Sequence, residues 1–129
     1  IDSRDIDISS LDEDVLDNAS YYGRIFARSG GLASAVEQAL REQGLYDLGD
    51  FRYKPVSCDG IRECRTALLK ASKGVLQENF IEGMACESGC IGGAACLTHG
   101  PKNKLDVDKY GQLAKEKTMT DAISVYDFE

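Results

Sequence analysis

Apolar residues recur at intervals of three and four positions in the first half of the chain, which is the pattern of an amphipathic helix. The pattern predicts a helix over Gly30–Glu42, with Ser29 as its N-cap. Gly44 is expected to end this helix, because glycine accepts the left-handed conformation at a helix C-terminus at little cost. The residues predicted to share its apolar face are Leu32, Val36, Ala39 and Leu40.

A second stretch with the same spacing predicts a helix over Gly60–Lys73, capped by Asp59 and ended by Gly74. Its predicted apolar face consists of Ile61, Cys64, Leu68 and Ala71. Cys64 is therefore expected to be a small buried apolar residue rather than a metal ligand. Cys58, which precedes Asp59 in a predicted loop, is expected to carry an exposed thiol.

Weaker helical patterns lie at both ends of the chain. Near the C-terminus a helix is predicted over Val107–Lys117, capped by Asp106, and a further helix is expected to start at Thr118 or Thr120. The predicted buried side of the first comprises Val107, Tyr110, Leu113 and Ala114. In the acidic N-terminal stretch, Ser10 is a candidate cap for a short helix with Leu11, Val15 and Leu16 on one face.

Two segments have strand character. Phe51–Ser57 alternates weakly and contains Pro55, which restricts it to a sheet edge. Val75–Ala85 is the second predicted strand, and its end leads into a glycine-rich loop. Strands that alternate with helices predict an α/β fold, in which helices flank a small, mostly parallel sheet.

Composition narrows the class of protein. The chain has 129 residues, 43% of them apolar and 29% charged, which is typical of a globular domain. Its net charge of −7 disfavours nucleic acid or an anionic membrane as a partner, because both are negatively charged. The sequence shows no apolar run of membrane-spanning length and no signal peptide. Five cysteines, an odd number, favour reduced thiols or a metal site over a disulfide framework, and a cytoplasmic location.

Most of the candidate chemistry lies in residues 79–100, which read NFIEGMACESGCIGGAACLTHG. This stretch contains three of the five cysteines and the single histidine, His99. Cys86 and Cys90 are four positions apart, so that on a helical turn their side chains would share one face, about 5–6 Å apart. That arrangement suits two ligands of one iron–sulfur cluster, although the spacing alone also fits a pair of structural thiols.

Residues 80–93, FIEGMACESGCIGG, resemble the third signature motif of the iron-only (FeFe) hydrogenases, Phe-Ile-Glu-x-Met-Ala-Cys-x-x-Gly-Cys-x-x-Gly-Gly. Residues 23–32, GRIFARSGGL, are similar to the family's upstream Phe-Gly-x-Thr-Gly-Gly-Val segment, with Ala27 where the family usually has glycine. The family's two earlier motifs, Thr-Ser-Cys-Cys-Pro and Met-Pro-Cys, do not occur in the chain. The resemblance therefore predicts a single domain over residues 1–129 that is a C-terminal fragment of the catalytic domain, within a Rossmann-like lobe.

The resemblance implies specific roles in the hydrogen-activating H-cluster, which joins a four-iron cluster to a diiron subsite. Cys86 and Cys90 match cysteines that hold the four-iron part, and Cys90 matches the one that also bridges to the diiron subsite. Met84 matches a methionine that packs against the diiron unit, and Phe26 and Leu32 match positions that line its apolar pocket. The role of Glu82, which the motif also contains, stays open.

The implied activity is the interconversion of protons and electrons with molecular hydrogen, with a ferredoxin-type electron carrier as partner. A four-iron cluster needs four ligands, and these two cysteines supply half of them. We therefore expect the fragment alone to hold no complete cluster and to be inactive, with the rest of the catalytic domain as its partner. Apolar surface left uncovered would favour self-association.

Two other functions are compatible with the sequence. One is a sensory or interaction domain that keeps the hydrogenase-like fold without catalysis. The segment after Gly93 runs through Cys96 and His99, where the family usually continues through another glycine to Gln-Pro, so the subtype stays open. The other is a small zinc module that uses Cys86, Cys90, Cys96 and His99, although their spacing is not that of paired zinc knuckles.

Overall fold

A parallel pair of strands forms the centre of the fold in the computed structural model, which describes residues 4–12, 19–47 and 49–124. β1 (Pro55–Asp59) and β2 (Phe80–Met84) pair in parallel, with Ser57 opposite Glu82. α3 (Ile61–Ser72) connects the two strands. The other described helices are α1 (Tyr21–Arg24), α2 (Gly31–Glu42), α4 (Lys102–Gln112) and α5 (Met119–Ile123), with short 3₁₀ helices at Ile8–Ser10 and Cys90–Gly92. The predicted α/β class, with helices around a small parallel sheet, is confirmed.

The predicted ends of α2 and α3 are confirmed. Gly44 and Gly74 have positive φ angles of 69° and 67°. In each case the next residue donates its N–H back into the helix, from Leu45 to the Leu40 carbonyl at 2.8 Å and from Val75 to the Lys70 carbonyl at 3.0 Å. These bonds satisfy carbonyl groups that the helix leaves without partners, as in the Schellman motif.

The predicted N-caps of the same helices are wrong. α2 follows Gly30, with φ 82°, and α3 follows Gly60, with φ 89°, and neither cap residue offers a side chain. Ser29 and Asp59 are engaged elsewhere, because the Ser29 N–H donates to the Ser88 carbonyl and the Asp59 carboxylate accepts from the Ser88 N–H. The two polar residues hold a distant loop instead of the helix beside them.

The buried residues lie mainly where α2 packs near the sheet. Tyr53 is 8% exposed, and its hydroxyl donates to the Ala33 carbonyl at 3.0 Å. Burial raises the pKa of Tyr53 to about 12. The buried apolar residues are Ile25, Ala33, Ala35, Tyr53, Cys58, Ala67 and Ala114. Most of them are small, which lets the helices and strands approach one another closely.

The C-terminal helix starts earlier than predicted. α4 begins at Lys102 after Pro101, so the predicted cap Asp106 lies inside the helix. The missed signal is the proline, which is favourable at a helix start because its φ is already helical. Gly111 allows α4 to approach α1, since a Cβ there would lie 2.8 Å from Ile25 Cγ2. Of the predicted buried residues Ala114 is buried, while Leu113 is 73% exposed.

The predicted apolar face of α3 is largely exposed. Ile61 and Leu68 are 71% and 60% exposed, and of the helix's residues Ala67 is the buried one. The expectation that Cys64 is buried is wrong, since the residue is half-exposed. The helical period was correct, but no described element covers the face that it predicts to be internal.

The remaining predictions concern the chain ends. Thr118, one of the two residues expected to start the last helix, caps α5. Its hydroxyl accepts the Asp121 N–H at 3.0 Å. Ile8–Ser10 is capped by Asp7, so Ser10 ends that 3₁₀ helix instead of capping a helix. The predicted partners Val15 and Leu16 lie outside the described residues. Within the described ranges, no helix has the length and apolar character needed to cross a membrane.

Candidate functional site

The loop after β2 carries the two cysteines of the motif. β2 ends at Met84, and the chain then turns through residues 85–89 before the 3₁₀ helix Cys90–Gly92. Ser88 and Gly89 have φ angles of 69° and 79°, so the residues between the cysteines do not form a helical turn. The interpretation that Cys86 and Cys90 share a helix face is therefore wrong. Two successive left-handed residues reverse the chain between them instead.

Backbone contacts with residues 27–29 fix this loop. Arg28 and Gly89 form an isolated antiparallel bridge, and the Ser29 N–H donates to the Ser88 carbonyl at 3.2 Å. A Cβ at Gly89 would lie 2.7 Å from the Ser29 nitrogen, closer than packed atoms come. The backbone of residues 27–29 can come this close to the loop because Gly89 has no side chain.

A second contact comes from the end of β1. The Asp59 carboxylate accepts a hydrogen bond from the Ser88 N–H. The carboxyl ends of parallel strands meet at one edge of a sheet, and this places Asp59 beside the loop that follows β2. Residues 27–29 and Asp59, from two distant parts of the sequence, thus hold the turn between the two cysteines.

Cys86 and Cys90 are both exposed. The loop is tightened by hydrogen bonds from the Gly89 N–H to the Cys86 carbonyl and from the Gly93 N–H to the Cys90 carbonyl, each 3.1 Å long. Gly92 is required by packing, since a Cβ there would lie 1.9 Å from the Glu87 carbonyl oxygen. The loop backbone is therefore occupied with its own contacts, and the two thiols face outward.

The other three cysteines differ from this pair. Cys58 is 3% exposed, and its burial raises the pKa of the thiol, so the prediction of an exposed Cys58 is wrong. The Cys64 thiol points at the Met84 carbonyl at 3.5 Å, and the Cys96 thiol at the Cys90 carbonyl at 3.1 Å. These three thiols are buried or directed at backbone carbonyls.

The structure does not assemble a zinc site from the predicted set. Among the described residues, no group of three or more histidine, cysteine, aspartate or glutamate side chains is placed to hold a metal ion. His99 is exposed in the segment that follows Cys96. The four residues of the zinc hypothesis are therefore not gathered around one point.

The apolar site residues implied by the resemblance lie on three different elements. Met84, half-buried, ends β2, and its carbonyl accepts the Gly60 N–H at 2.9 Å. Leu32 is half-buried in the first turn of α2. Phe26 is 46% exposed and lines an apolar groove together with Met119 and Ile123 of α5. Phe26 directly precedes Ala27, whose carbonyl accepts the Ile91 N–H at 3.4 Å.

Glu82, whose role was open, caps α2. Its side chain is 1% exposed, and its oxygens accept the Gly30 N–H and the Ala33 N–H at 2.9 Å each. The Ser57 hydroxyl donates a third hydrogen bond at 3.0 Å. A carboxylate is favourable at a helix N-terminus, where N–H groups lack partners. The sequence contained one signal for this role, a glutamate within an apolar strand. Such a residue is expected to be buried, and buried acids are almost always paired.

The segment beyond the loop is tied back to it by two polar contacts that the sequence did not reveal. Arg28 and Asp108 of α4 form an ion pair at 2.5 Å, with the arginine side chain only 12% exposed. The Asn103 amide donates to the Ile91 carbonyl at 3.2 Å and to the Thr98 carbonyl at 2.6 Å. Both contacts join residues far apart in sequence or across a turn, where periodicity carries no information.

The thiols of Cys86 and Cys90 suit an iron–sulfur cluster whose remaining ligands come from other residues. Thiolates are the usual ligands of such clusters, and a four-iron cluster takes four. Cys86 and Cys90 are exposed residues on a loop whose backbone is held by its own hydrogen bonds. Two thiols would make up half of the ligand set of such a cluster.

Comparison with known protein families gives a match to most of the chain. The model of the family described as iron only hydrogenase large subunit, C-terminal domain, matches residues 1–94. The match therefore includes β1, β2 and the loop through Gly93, and it ends before α4. No curated protein matches the chain.

Proposed function

The chain belongs to the family of the iron-only hydrogenase large subunit, C-terminal domain, and from this premise we propose that it supplies two ligands of an H-cluster in a hydrogenase catalytic domain. In that role residues 1–129 are a single C-terminal domain of the larger catalytic subunit. The observation that carries the proposal is the loop between Met84 and Gly93. It presents two exposed thiols, and the matched family is an iron–sulfur family.

Each of the two cysteines has a distinct role in this proposal. Cys86 and Cys90 would hold the four-iron cluster, and Cys90 would also link it to the diiron subsite. Cys90 opens a 3₁₀ helix directly after Gly89, the residue that packs on the Ser29 backbone. The position of Cys90 is therefore set more tightly than that of a cysteine on a free loop, which suits a thiol shared between two metal groups.

The apolar residues shape the other side of the site. Met84 lies at the carboxyl end of β2, two residues before Cys86, and its thioether would pack against the diiron subsite. Phe26 and Leu32 line the surrounding pocket and exclude water from it. Their half-buried or exposed state in this chain suits residues that become covered when the remaining part of the catalytic domain packs on them.

The chemistry follows from these placements. When bound, the H-cluster would supply the metal centre at which protons, together with electrons from the carrier, interconvert with molecular hydrogen. The chain's own contribution is to hold two thiolates at fixed positions, since the loop backbone is bonded to residues 27–29 and Asp59. Little reorganisation of the ligands is then needed when the cluster changes its charge.

The partners follow from the missing ligands. The rest of the catalytic domain contributes the other thiolates, and a ferredoxin-type carrier exchanges electrons with the intact enzyme. We place the enzyme in hydrogen metabolism in the cytoplasm of an anaerobic cell, which agrees with five cysteines that form no disulfide. The chain on its own is expected to hold no complete cluster and to show no hydrogenase activity.

The test is a metal analysis of the full-length catalytic subunit after anaerobic cluster reconstitution. Iron, labile sulfide and zinc are measured per chain, together with hydrogen evolution from a reduced electron donor. Cys86→Ser and Cys90→Ser are each expected to lower iron and sulfide and to abolish activity. Retention of the full iron content in both variants would refute ligation by these two residues.

A matched control is available in the same region. Cys64→Ser keeps a donor near the Met84 carbonyl and should leave iron content and activity close to the unmodified values. The 129-residue chain is analysed in parallel, and near-zero iron is expected. A stoichiometric four-iron cluster in this chain alone would show that further residues of the chain, such as Cys96 and Cys58 together, can complete the ligand set.

A further inference from the structure

Cys90 lies between two residues that are each held by a distant part of the chain. On its N-terminal side, Gly89 forms the antiparallel bridge with Arg28. On its C-terminal side, the Ile91 carbonyl accepts a hydrogen bond from the Asn103 side-chain amide at 3.2 Å. The position of Cys90 within the cysteine loop (residues 85–93) therefore depends on both of these contacts.

α4 takes part in both of them. Asn103 lies in the first turn of α4 and contacts Ile91 directly. Asp108, further along the same helix, accepts the Arg28 Nε–H at 2.5 Å, and the Arg28 side chain is only 12% exposed. α4 thus acts on Ile91 through Asn103 and on Gly89 through Arg28.

α4 is itself fixed against the start of the described chain. A Cβ at Gly111 would lie 2.8 Å from Ile25 Cγ2, so the helix packs there at the closest distance that a glycine permits. The Arg24 guanidinium lies 4.6 Å from the centre of the Tyr110 ring and donates to the Tyr110 carbonyl at 3.3 Å. A helix held in this way can position a loop that packs on it.

The ion pair also places charge beside the cysteine loop. Arg28 and Ser88, the residue before Gly89, border one polar cavity of about 500 Å³. The Arg28 guanidinium has two acceptors, the Asp108 carboxylate and the Ser29 carbonyl at 3.1 Å. Of these two, the carboxylate is the one that neutralises the positive charge. In a partly buried pair this neutralisation matters more than at an exposed surface.

We propose that Asn103 and Asp108 are positioning residues for Cys90, and that Asp108 also balances the Arg28 charge beside the cysteine loop. The inference rests on the proposed function, because Cys90 is the thiol assigned to the cluster. Both residues lie beyond residues 1–94, the part of the chain that matches the family model. Partners that hold metal ligands in place change metal affinity about 10- to 100-fold when they are removed. The charge and hydrogen bonds around an iron–sulfur cluster set its reduction potential.

Amide hydrogen exchange in the 129-residue chain tests the positioning without any cluster. The Ser29 and Ile91 amides donate to backbone carbonyls across the contact between residues 27–29 and the cysteine loop. Asp108→Asn should make the Ser29 amide exchange about 10-fold faster, and Asn103→Ala should do the same for the Ile91 amide. Asp106→Asn removes an exposed carboxylate from the same helix and serves as the control. Exchange rates in the first two variants equal to those of the control would overturn the proposal.

Reduction potentials of the full-length catalytic subunit test the charge balance. The four-iron cluster is titrated with a reductant and followed by electron paramagnetic resonance. Asp108→Asn leaves Arg28 without its counter-charge, which should shift the potential to more positive values, because a positive charge favours the reduced cluster. Arg28→Gln leaves Asp108 unpaired and should shift the potential to more negative values. Both variants break the same ion pair, so a purely structural role would not give shifts of opposite sign. Any pattern other than opposite shifts would overturn the charge balance.

Iron release separates this inference from the proposed function. Asn103→Ala changes no charge, so the reconstituted variant should lose iron to a ferrous chelator about 10-fold faster at a nearly unchanged potential. Thermal unfolding followed by circular dichroism shows that the variant is folded. Full iron content in Cys86→Ser and Cys90→Ser would refute the proposed function. Loss of iron from those two, together with unmodified release from Asn103→Ala, would leave the proposed function standing and overturn the positioning role.

Discussion

α2 and α3 have the same length and the same type of C-terminal end, yet their surroundings differ. Each contains twelve residues and ends at a left-handed glycine. α2 buries Gly31, Ala33 and Ala35, and a buried carboxylate caps its N-terminus. α3 buries Ala67 and leaves its leucines exposed.

The difference shows what holds each helix in place. α2 is fixed by specific polar contacts at both ends, from Glu82 at its start and through Glu42 to α5 at its end. α3 is fixed mainly by the strands that it connects and by its terminal turn. We expect substitutions on α2 to change stability in this chain, and substitutions on the outer face of α3 to matter once a partner covers it.

The largest expected effect comes from Glu82→Gln. The amide group of glutamine would face either the Gly30 or the Ala33 N–H, so one buried donor would lose its acceptor. We expect the free energy of unfolding to fall by about 2 kcal/mol, measured by urea denaturation followed by circular dichroism.

The control for this comparison is Glu37→Gln on the exposed side of α2. Glu37 pairs with Arg41 at 2.8 Å in an exposed ion pair, which is worth at most about 0.5 kcal/mol. If Glu82→Gln cost no more than Glu37→Gln, the buried cap would not contribute to the stability of α2.

A smaller, pH-dependent effect is expected from Glu42→Gln at the other end of α2. Burial opposes ionisation, but hydrogen bonds from Gln38 and from the start of α5 lower the pKa of Glu42 from 4.5 to about 2. Because the folded-state pKa is the lower one, the stabilisation is present above pH 4.5 and is lost as the pH falls toward 2. At pH 7 the substitution should cost about 1 kcal/mol, as for other helix caps.

Thermal unfolding between pH 7 and pH 3 measures this difference. The melting temperatures of the original protein and of Glu42→Gln should converge as the pH falls below 4.5. Asp50→Asn, which removes a carboxylate at an exposed position, serves as the control. Parallel curves for Glu42→Gln would rule out the carboxylate as the source of the stabilisation.

The smallest expected effect comes from Leu68→Gln on α3. Leu68 is 60% exposed, so its replacement should change the free energy of unfolding of the chain by less than about 0.5 kcal/mol. In the full-length catalytic subunit the same substitution should destabilise by more if the rest of the protein covers the exposed face of α3. Urea titrations of both proteins provide the comparison, and equal effects would show that the face of α3 stays open.

The helices and strands could be predicted because they depend on local patterns. The period of three to four residues located α2 and α3, and Gly44 and Gly74 marked their ends. α4 was misplaced by five residues because Asp106 was preferred as a cap over Pro101, although both are acceptable signals. The local sequence does not show which of the two residues starts the helix. Tertiary packing, here of Gly111 on Ile25, decides where α4 lies.

The candidate site was predictable from its motif but not from its geometry. The cysteines were found from the resemblance, whereas the turn between them was assigned to the wrong conformation. Its shape depends on Asp59 and on residues 27–29, which are distant in sequence. The same reason explains the missed Glu82 cap, since the donors of its hydrogen bonds lie some fifty residues earlier in the chain.

The contacts of Gly89 also determine what could be transferred to another protein. Residues 79–100 contain every cysteine of the motif, yet the conformation of their turn depends on partners at residues 27–29 and 59. A synthetic peptide of that stretch would have the right residues without the spacing that the fold imposes on them. Any effort to graft this site onto a new scaffold must therefore carry three separate chain segments.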